Sequence, residues 1–279
     1  MSLQTLSEWL RCPNCILPLS PTGTLRLGCS TGHSFDVNKR GFINLLTGAP
    51  KFIGDSAAML DARDTFLAAG WYEPLQAAVR AVISAEHPRR LLDVGCGTGY
   101  YLRAALPPGE DVRALGMDLS PTAVSRTMRS HDRIDGLVAD VWSPLPVQDA
   151  AVDVILNVFA PRNAAEFHRV LRPGGLLLVV VPRPTHLHEL RRAGLAVEMQ
   201  ADKAAHLEAS LGAWFALESA QQMEQNAALS AAEVVSLIGM GPSSHHAASA
   251  GPESTPASVQ DVTIAFDVFG FRRRATELC

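Results

Sequence analysis

The chain has 279 residues, 47% of them hydrophobic and 19% charged, enough for one sizeable α/β domain with a small appendage and too apolar for wholesale disorder. A net charge of −4 provides no global field toward nucleic acid or anionic membrane, so a polyanionic partner must be gripped by a local patch. The first ten residues, MSLQTLSEWL, are too polar for a secretory leader, and the longest solid apolar run, Leu176 to Val181, is far too short to span a bilayer. Five unevenly spaced cysteines do not make a secreted disulfide framework, which predicts a cytoplasmic, reducing location.

Cys12 and Cys15 form a C-x2-C pair, and Cys29 and His33 a C-x3-H pair thirteen residues further on. Two short-spaced pairs can close a tetrahedral S₃N shell around Zn²⁺, whereas a redox C-x-x-C needs no second pair. The prediction is a structural zinc ribbon without an open catalytic position, with strands at Thr24 to Leu27 and Ser34 to Val37. Such a loop holds almost no hydrophobic core, so metal would supply much of its folding free energy. Residues 1–51 carry a net +3, with Lys39, Arg40 and Lys51 among the cations. These are either solvated charge on a small module or a phosphate-gripping surface.

Ser56 to Ala69 and Glu73 to Ala85 read as helices of 3.6-residue period, with Gly70 as a stop and Pro74 in the second helix's first turn. Trp71 and Tyr72 at their junction suit core or hinge packing. Leu91 to Val94 then reads as a buried parallel strand entering Gly95-Cys96-Gly97-Thr98-Gly99 and a helix. The D-x-G-x-G-x-G spacing, opened by Asp93, departs from the dinucleotide pattern and resembles motif I of S-adenosylmethionine (SAM)-dependent methyltransferases. Val112 to Leu119 is a second strand with Asp118 at its carboxyl end, placed to accept hydrogen bonds from vicinal ribose hydroxyls, although a solvent-exposed turn aspartate would read the same way. Ser120 and Pro121 cap the next helix.

A third strand runs through Leu137 to Val141, a fourth through Val152 to Phe159. Asn157 on the fourth offers both a donor and an acceptor. Glu166 to Leu171 continues as a helix into the Arg172-Pro173-Gly174-Gly175 turn and the strand Leu176 to Val181. Trp142 suits either an adenine face or ordinary core, and His186 either a cofactor contact or a helix start. Phe215 to Asn226 and Val262 to Phe271 read as the last strands around a helix Ala231 to Ile238. The Ser-, Ala-, His- and Gly-rich stretch from Gly239 to Ser258, with His245 and His246, reads as a flexible loop. Arg272 to Arg274 form a basic cluster, and Cys279 carries no assigned role.

The cysteine–histidine pairs, the F-D-V-N-K-R-G-F-I-N-L-L that follows them and the G-D-S-A-A-M-L-D-A-R of Gly54 to Arg63 resemble the RlmA family of 23S rRNA guanine-N1 methyltransferases. That family includes macrolide-resistance members. The resemblance spans essentially the whole chain and implies a class I SAM-dependent methyltransferase, Rossmann-like, with a mostly parallel seven-stranded sheet. The expected division is a zinc-binding RNA-recognition module at 1–50, a helical linker at 51–87 and the methyltransferase domain at 88–279.

It implies cofactor contacts at Tyr72, Asp93, Gly95, Gly97, Thr98, Gly99, Asp118, Asp140, Val141, Asn157 and His186, with Asp140 on the adenine amino group. Zinc falls to Cys12, Cys15, Cys29 and His33, and RNA to Lys39, Arg40, Lys51, Arg63 and Arg162. Asn157 and Arg162 are the catalytic candidates, and no residue is assigned as the base that takes the guanine N1 proton. N-V-F-A-P-R-N at Asn157 to Asn163 resembles the resistance branch and G-D-S-A the general bacterial one, so the two roles stay open. A homodimer is expected from the resemblance alone. The rival readings are a small-molecule methyltransferase sharing the R-P-G-G turn and a non-catalytic RNA-binding protein with a degenerate core.

Overall fold

The computed structural model describes residues 3–107, 111–196, 203–241 and 260–275. Its sheet forms near the predicted apolar runs, except that the third strand lies three residues earlier than expected, at Ile134–Val138, leaving Asp140 and Val141 beyond its end. β5 (Arg90–Val94), β6 (Arg113–Asp118), β7 (Ile134–Val138), β8 (Val152–Val158) and β9 (Leu171–Pro182) lie parallel. Their nearly unbroken burial fits a sheet covered on both faces. β11 (Gln260–Arg273) runs antiparallel against β9, and β10 (Phe215–Leu229) antiparallel against β11.

These are the seven expected strands. An eighth, β4 (Ile43–Asn44), leaves the N-terminal segment and pairs parallel with β7, giving the order β10-β11-β9-β8-β5-β6-β7-β4. β9 also starts earlier than expected. Leu171 already pairs with Val152, and the R-P-G-G segment bulges out before the ladder resumes at Val154 and Leu176, with Arg172 pairing with Asp153 at 2.5 Å.

Local signals set the helix ends. α2 (Ala57–Ala68) is capped by the Ser56 hydroxyl, which accepts from the Met59 amide, and stops at Gly70, whose φ is +86°. α3 (Glu73–Ala85) starts on Pro74, and α5 (Pro121–Arg129) is capped by Ser120. α4 (Tyr100–Ala104) follows the glycine turn, α6 (Ala164–Val170) is capped by Asn163, and α9 (Ala231–Gly239) carries a Ser230–Glu233 capping box. Three helices were not anticipated: α1 (Leu3–Trp9), α7 (His188–Arg192) and α8 (Lys203–Leu211). Residues 242–259, including His245 and His246, and Cys279 lie outside the described residues.

The zinc-ribbon segment forms an antiparallel sheet of β1 (Ser20–Gly23), β2 (Arg26–Gly28) and β3 (Ser34–Asp36). Thr24 and Leu25 make the hairpin turn and not the start of a strand. The expectation that this segment lacks a core needs correcting. Its buried Cys12, Leu19, Leu27, Val37 and Ile43 join Leu6, Trp9 and Leu10 in one apolar cluster with Leu92, Val94, Leu115 and Met117 of the central sheet.

Polar tethers reinforce that union. Asp135 on β7 accepts from Trp9 Nε1 and Thr5 Oγ1, both at 3.0 Å. Glu8 pairs with Arg90 at 2.9 Å, and buried Arg11 joins Asp149 and Glu166, which also hold Arg169. The other face of the sheet buries α2, α3, α4 and α9 around Phe66, Leu75, Val79 and Leu237.

Candidate active site and metal centre

The parallel strands reverse their order between β5 and β8, and a crevice opens beyond their carboxyl ends, where ligands bind in doubly wound sheets. It holds a cavity of about 1030 Å³. One wall is the turn after β5, where Gly95, Gly97 and Gly99 have φ of +81°, +53° and +77°. A side chain on Gly95 would run into Ala160 on the loop leaving β8, so the two walls touch only because that residue is glycine.

Asp118 ends β6 beside this turn. Its Oδ2 accepts from the Gly97 amide at 3.0 Å and its Oδ1 from the Ser120 amide at 2.9 Å, leaving each oxygen a further lone pair for a ribose hydroxyl. Burial still raises its pKa, with those two bonds opposing. Asp93, at the end of β5, is more strongly affected: burial, with the Asp118 charge adding, pushes it up to about 8. The segment before α2 closes over this end. Asp55 accepts from the Ser120 hydroxyl at 2.8 Å through its carbonyl and pairs with Arg63 at 2.5 Å through its carboxylate.

Tyr72 is buried edge-on against Phe66 and Phe266, with ring centroids at 5.3 and 5.0 Å, and desolvation raises its phenol pKa. His186 sits 4.8 Å from Phe266 and accepts the Ala265 amide on Nδ1. Exposed aromatics stand around the mouth: Trp142 at 53%, Phe52 at 50% and Phe159 at 43%. The exposure of Trp142 takes it out of the core.

Nine of the eleven expected cofactor contacts line this cavity: Tyr72, Asp93, Gly95, Gly97, Thr98, Asp118, Asp140, Val141 and His186. Two have a different place. Gly99 starts α4, where its missing side chain lets the turn pack on Thr127 of α5. Asn157 is fully buried behind the wall and outside the cavity lining, its Nδ2 donating to the carbonyls of Val94 (3.3 Å) and Pro161 (3.0 Å), so it fixes the β8 loop to β5. Of the expected RNA contacts, Arg162 and Arg63 line the cavity. Arg63 lies against Gly97 inside the crevice and donates to the Met240 carbonyl at 2.9 Å. Lys39, Arg40 and Lys51 are exposed, and Lys51 lies 5.7 Å over the Phe52 ring.

The donor atoms of Cys12, Cys15, Cys29 and His33 lie within 4.8 Å of one another, and His33 turns Nδ1 toward the Cys29 sulfur at 3.5 Å. Three sulfurs and an imidazole nitrogen at this spacing fit a closed tetrahedral zinc site. Thr31, whose type gave no signal in the sequence, brings its hydroxyl within 3.1 Å of the sulfurs of Cys15 and Cys29. That contact is the main reason the Cys29 thiol falls to about 5, a poise suited to a thiolate ligand.

Residues 91–175 match the family described as "Methyltransferase domain", and residues 10–51 match "RlmA, N-terminal". The chain is 40% identical over 244 residues to the 23S rRNA (guanine(748)-N(1))-methyltransferase of Streptomyces fradiae, a match covering 86% of each protein. The chain belongs to the RlmA-type 23S rRNA (guanine-N1)-methyltransferase family.

A Micromonospora griseorubida relative, provisionally named as another such enzyme, is 41% identical over 85% of this chain and 87% of its own. A solved structure from Bacillus halodurans C-125, provisionally a methyltransferase, superimposes with a TM-score of 0.52 at 15% identity, covering 72% of this chain and 99% of that one, and shows the fold alone. The cofactor of the family is SAM, and its metal is one structural zinc. The glycine wall, the two carboxylates at the strand ends and the aromatic side of the cavity fit the first, and the Cys₃His cluster fits the second. Among the described residues no helix is long and apolar enough to cross a membrane.

Proposed function

We propose that this chain transfers the SAM methyl group to N1 of a guanine in a 23S rRNA hairpin. The observation that carries the reading is the fusion of a SAM-type crevice and a zinc ribbon into one apolar core, in a chain 40% and 41% identical to relatives named as 23S rRNA guanine-N1 methyltransferases. A ring N1 is engaged in pairing within a duplex, so the guanine must be unpaired or splayed out before it enters. At about 1030 Å³ the cavity exceeds what one small ligand needs, leaving room for a nucleobase beside the cofactor. Holding the base in line with the methyl group then supplies much of the rate.

The division of labour remains 1–50 for RNA recognition, 51–87 as linker and 88–279 for catalysis. Lys39, Arg40 and Lys51 grip phosphate, supported by their exposure on the ribbon side and by the aromatic mouth nearby. Arg63 is better read as a cofactor-side residue held by Asp55. We also place the enzyme in the cytoplasm with its rRNA, as a homodimer for which the edge strand β10 offers an open row of backbone groups. Its role is either macrolide tolerance or general modification of the ribosome. A small-molecule substrate would leave the exposed cations without work, and a mere scaffold would have no use for the formed cavity.

Transfer of labelled methyl from SAM to 23S rRNA fragments, with the site mapped by primer-extension arrest, tests this reading. Label appearing only in small metabolites overturns it.

A further inference from the structure

We propose that Arg162 is a catalytic residue, stabilising the negative charge that guanine O6 acquires as N1 loses its proton. The proposal rests on the reading of the chain as a guanine-N1 methyltransferase and answers a question that reading leaves open, namely how the N1–H bond is broken.

Position comes first. Arg162 sits on the loop leaving β8, at the point where the strand order reverses, and its side chain lines the cavity. The loop is rigidly held. Ala160 abuts Gly95, and Asn157 ties the Pro161 carbonyl to that of Val94. Phe159 adopts φ +55°, a left-handed conformation rare for a bulky residue, and presents a half-exposed ring beside it. A base entering the crevice meets an aromatic face and a cation from one short segment.

Electrostatics comes second. Arg63 in the same cavity is paired with Asp55, and Arg191 donates to the carbonyls of His186 and Pro184. Arg162 has no acidic partner among the described residues. Its hydrogen bond runs from Nη1 to the Ala160 carbonyl at 3.3 Å, and burial lowers its pKa with no opposing charge. A half-buried guanidinium without a counter-ion is costly, and the cost is relieved when a ligand brings negative charge.

Of the carboxylates lining the cavity, Asp55 is paired with Arg63. Asp118 holds two backbone amides, Asp140 accepts the Trp142 amide at 3.0 Å, and Asp93 lies buried under the glycine turn. In the apo-protein Asp93 keeps its proton at neutral pH, its pKa pushed up to about 8 by burial. Guanine offers another route. When N1–H gives its proton to water at the mouth, the electron pair left behind is shared with O6, where a planar guanidinium can donate. The N1 anion attacks the methyl carbon, the N1–C bond forms, the C–S bond breaks, and its electron pair stays on sulfur as a neutral thioether. The same contact selects the base, because adenine places an amino donor where guanine places O6.

The test uses full-length wild type, R162A and R162K with a transcript of the target hairpin, reading single-turnover methyl transfer from pH 6.5 to 9.5 and SAM affinity by calorimetry. His186, Arg63, Arg191 and the carboxylates of Asp55, Asp93, Asp118 and Asp140 line the same cavity in every variant, so the comparison cancels their contribution. At neutral pH, R162A should lose roughly 10²–10³-fold in rate, as for removal of one oxyanion donor. That deficit should shrink as pH rises toward the ionisation of N1. Millimolar guanidinium should restore part of the rate, R162K should fall between, and SAM affinity should be unchanged, which also reports that the variants fold. An inosine at the target, which keeps N1–H and O6, should preserve the Arg162 dependence. An equal deficit at every pH, lost SAM affinity or an unchanged rate overturns the proposal. A wild type that methylates no RNA overturns the reading beneath it, and the proposal with it.

Discussion

Replacing Gly95 by alanine puts the architecture of the crevice to a quantitative test. At φ +81° an alanine costs about 1–2 kcal/mol from its β-carbon alone. The added carbon would also fall well inside van der Waals contact of the Ala160 side chain. That methyl is fixed to backbone, and the backbone is fixed by Asn157, so the clash cannot be relieved by a rotamer change. Overpacking of this kind costs about 1–3 kcal/mol, for a total of about 2–5 kcal/mol with SAM binding reduced as the wall shifts. Urea unfolding and calorimetric SAM titration of G95A read both effects. A160G in the same background should recover the steric share, about 1–3 kcal/mol, and leave the backbone share unrepaired. A G95A protein of wild-type stability, or a deficit that A160G leaves untouched, would show that the β8 loop does not rest on the glycine turn.

Cys12→Ser should abolish bound zinc in a metal assay and lower the unfolding midpoint of the whole chain in a single transition, because Cys12 lies in the shared core. Asp118→Ala should weaken SAM binding at least tenfold by calorimetry while keeping the native circular dichroism spectrum, the loss expected for hydrogen bonds to a charged acceptor of about 1.5–3 kcal/mol. Asp93 is raised from 3.8 to about 8, so the folded apo-protein holds a proton that the unfolded chain releases, and this contribution to stability is present below pH 4 and lost as pH rises through 8. D93N should therefore flatten the decline of apo stability between pH 4 and 8 in denaturant titrations, and an unaltered decline would remove Asp93 as its source. Trp9→Phe strips one donor from the buried Asp135 carboxylate and should cost about 1.5–3 kcal/mol in urea unfolding.

What the sequence revealed was local. The glycine turn, the Ser120 cap and the Gly70 stop depend on residues within a few positions of one another, and all stand where their types place them. What it hid depends on partners far along the chain. Ile43 and Asn44 are a strand only because β7 lies beside them, and the polar α1 is held by Asp135, 126 positions beyond Trp9. Asn157 was legible as a polar residue on a strand, yet a sheet covered on both faces has no alternation to say which way it points. Arg63 reads as one more cation until Asp55 and Gly97 close around it. The turned backbone of Phe159 has no signature in N-V-F-A-P-R.

The interior shared by ribbon and sheet bears on how such enzymes diverge. Leu27 and Ile43 rest on the same apolar mass as Leu115, so the zinc-ribbon end is not a cassette that recombination could trade between relatives. Divergence of that end would have to accumulate by substitution at exposed positions such as Lys39 and Arg40, or else drag compensating changes through the strands behind the crevice.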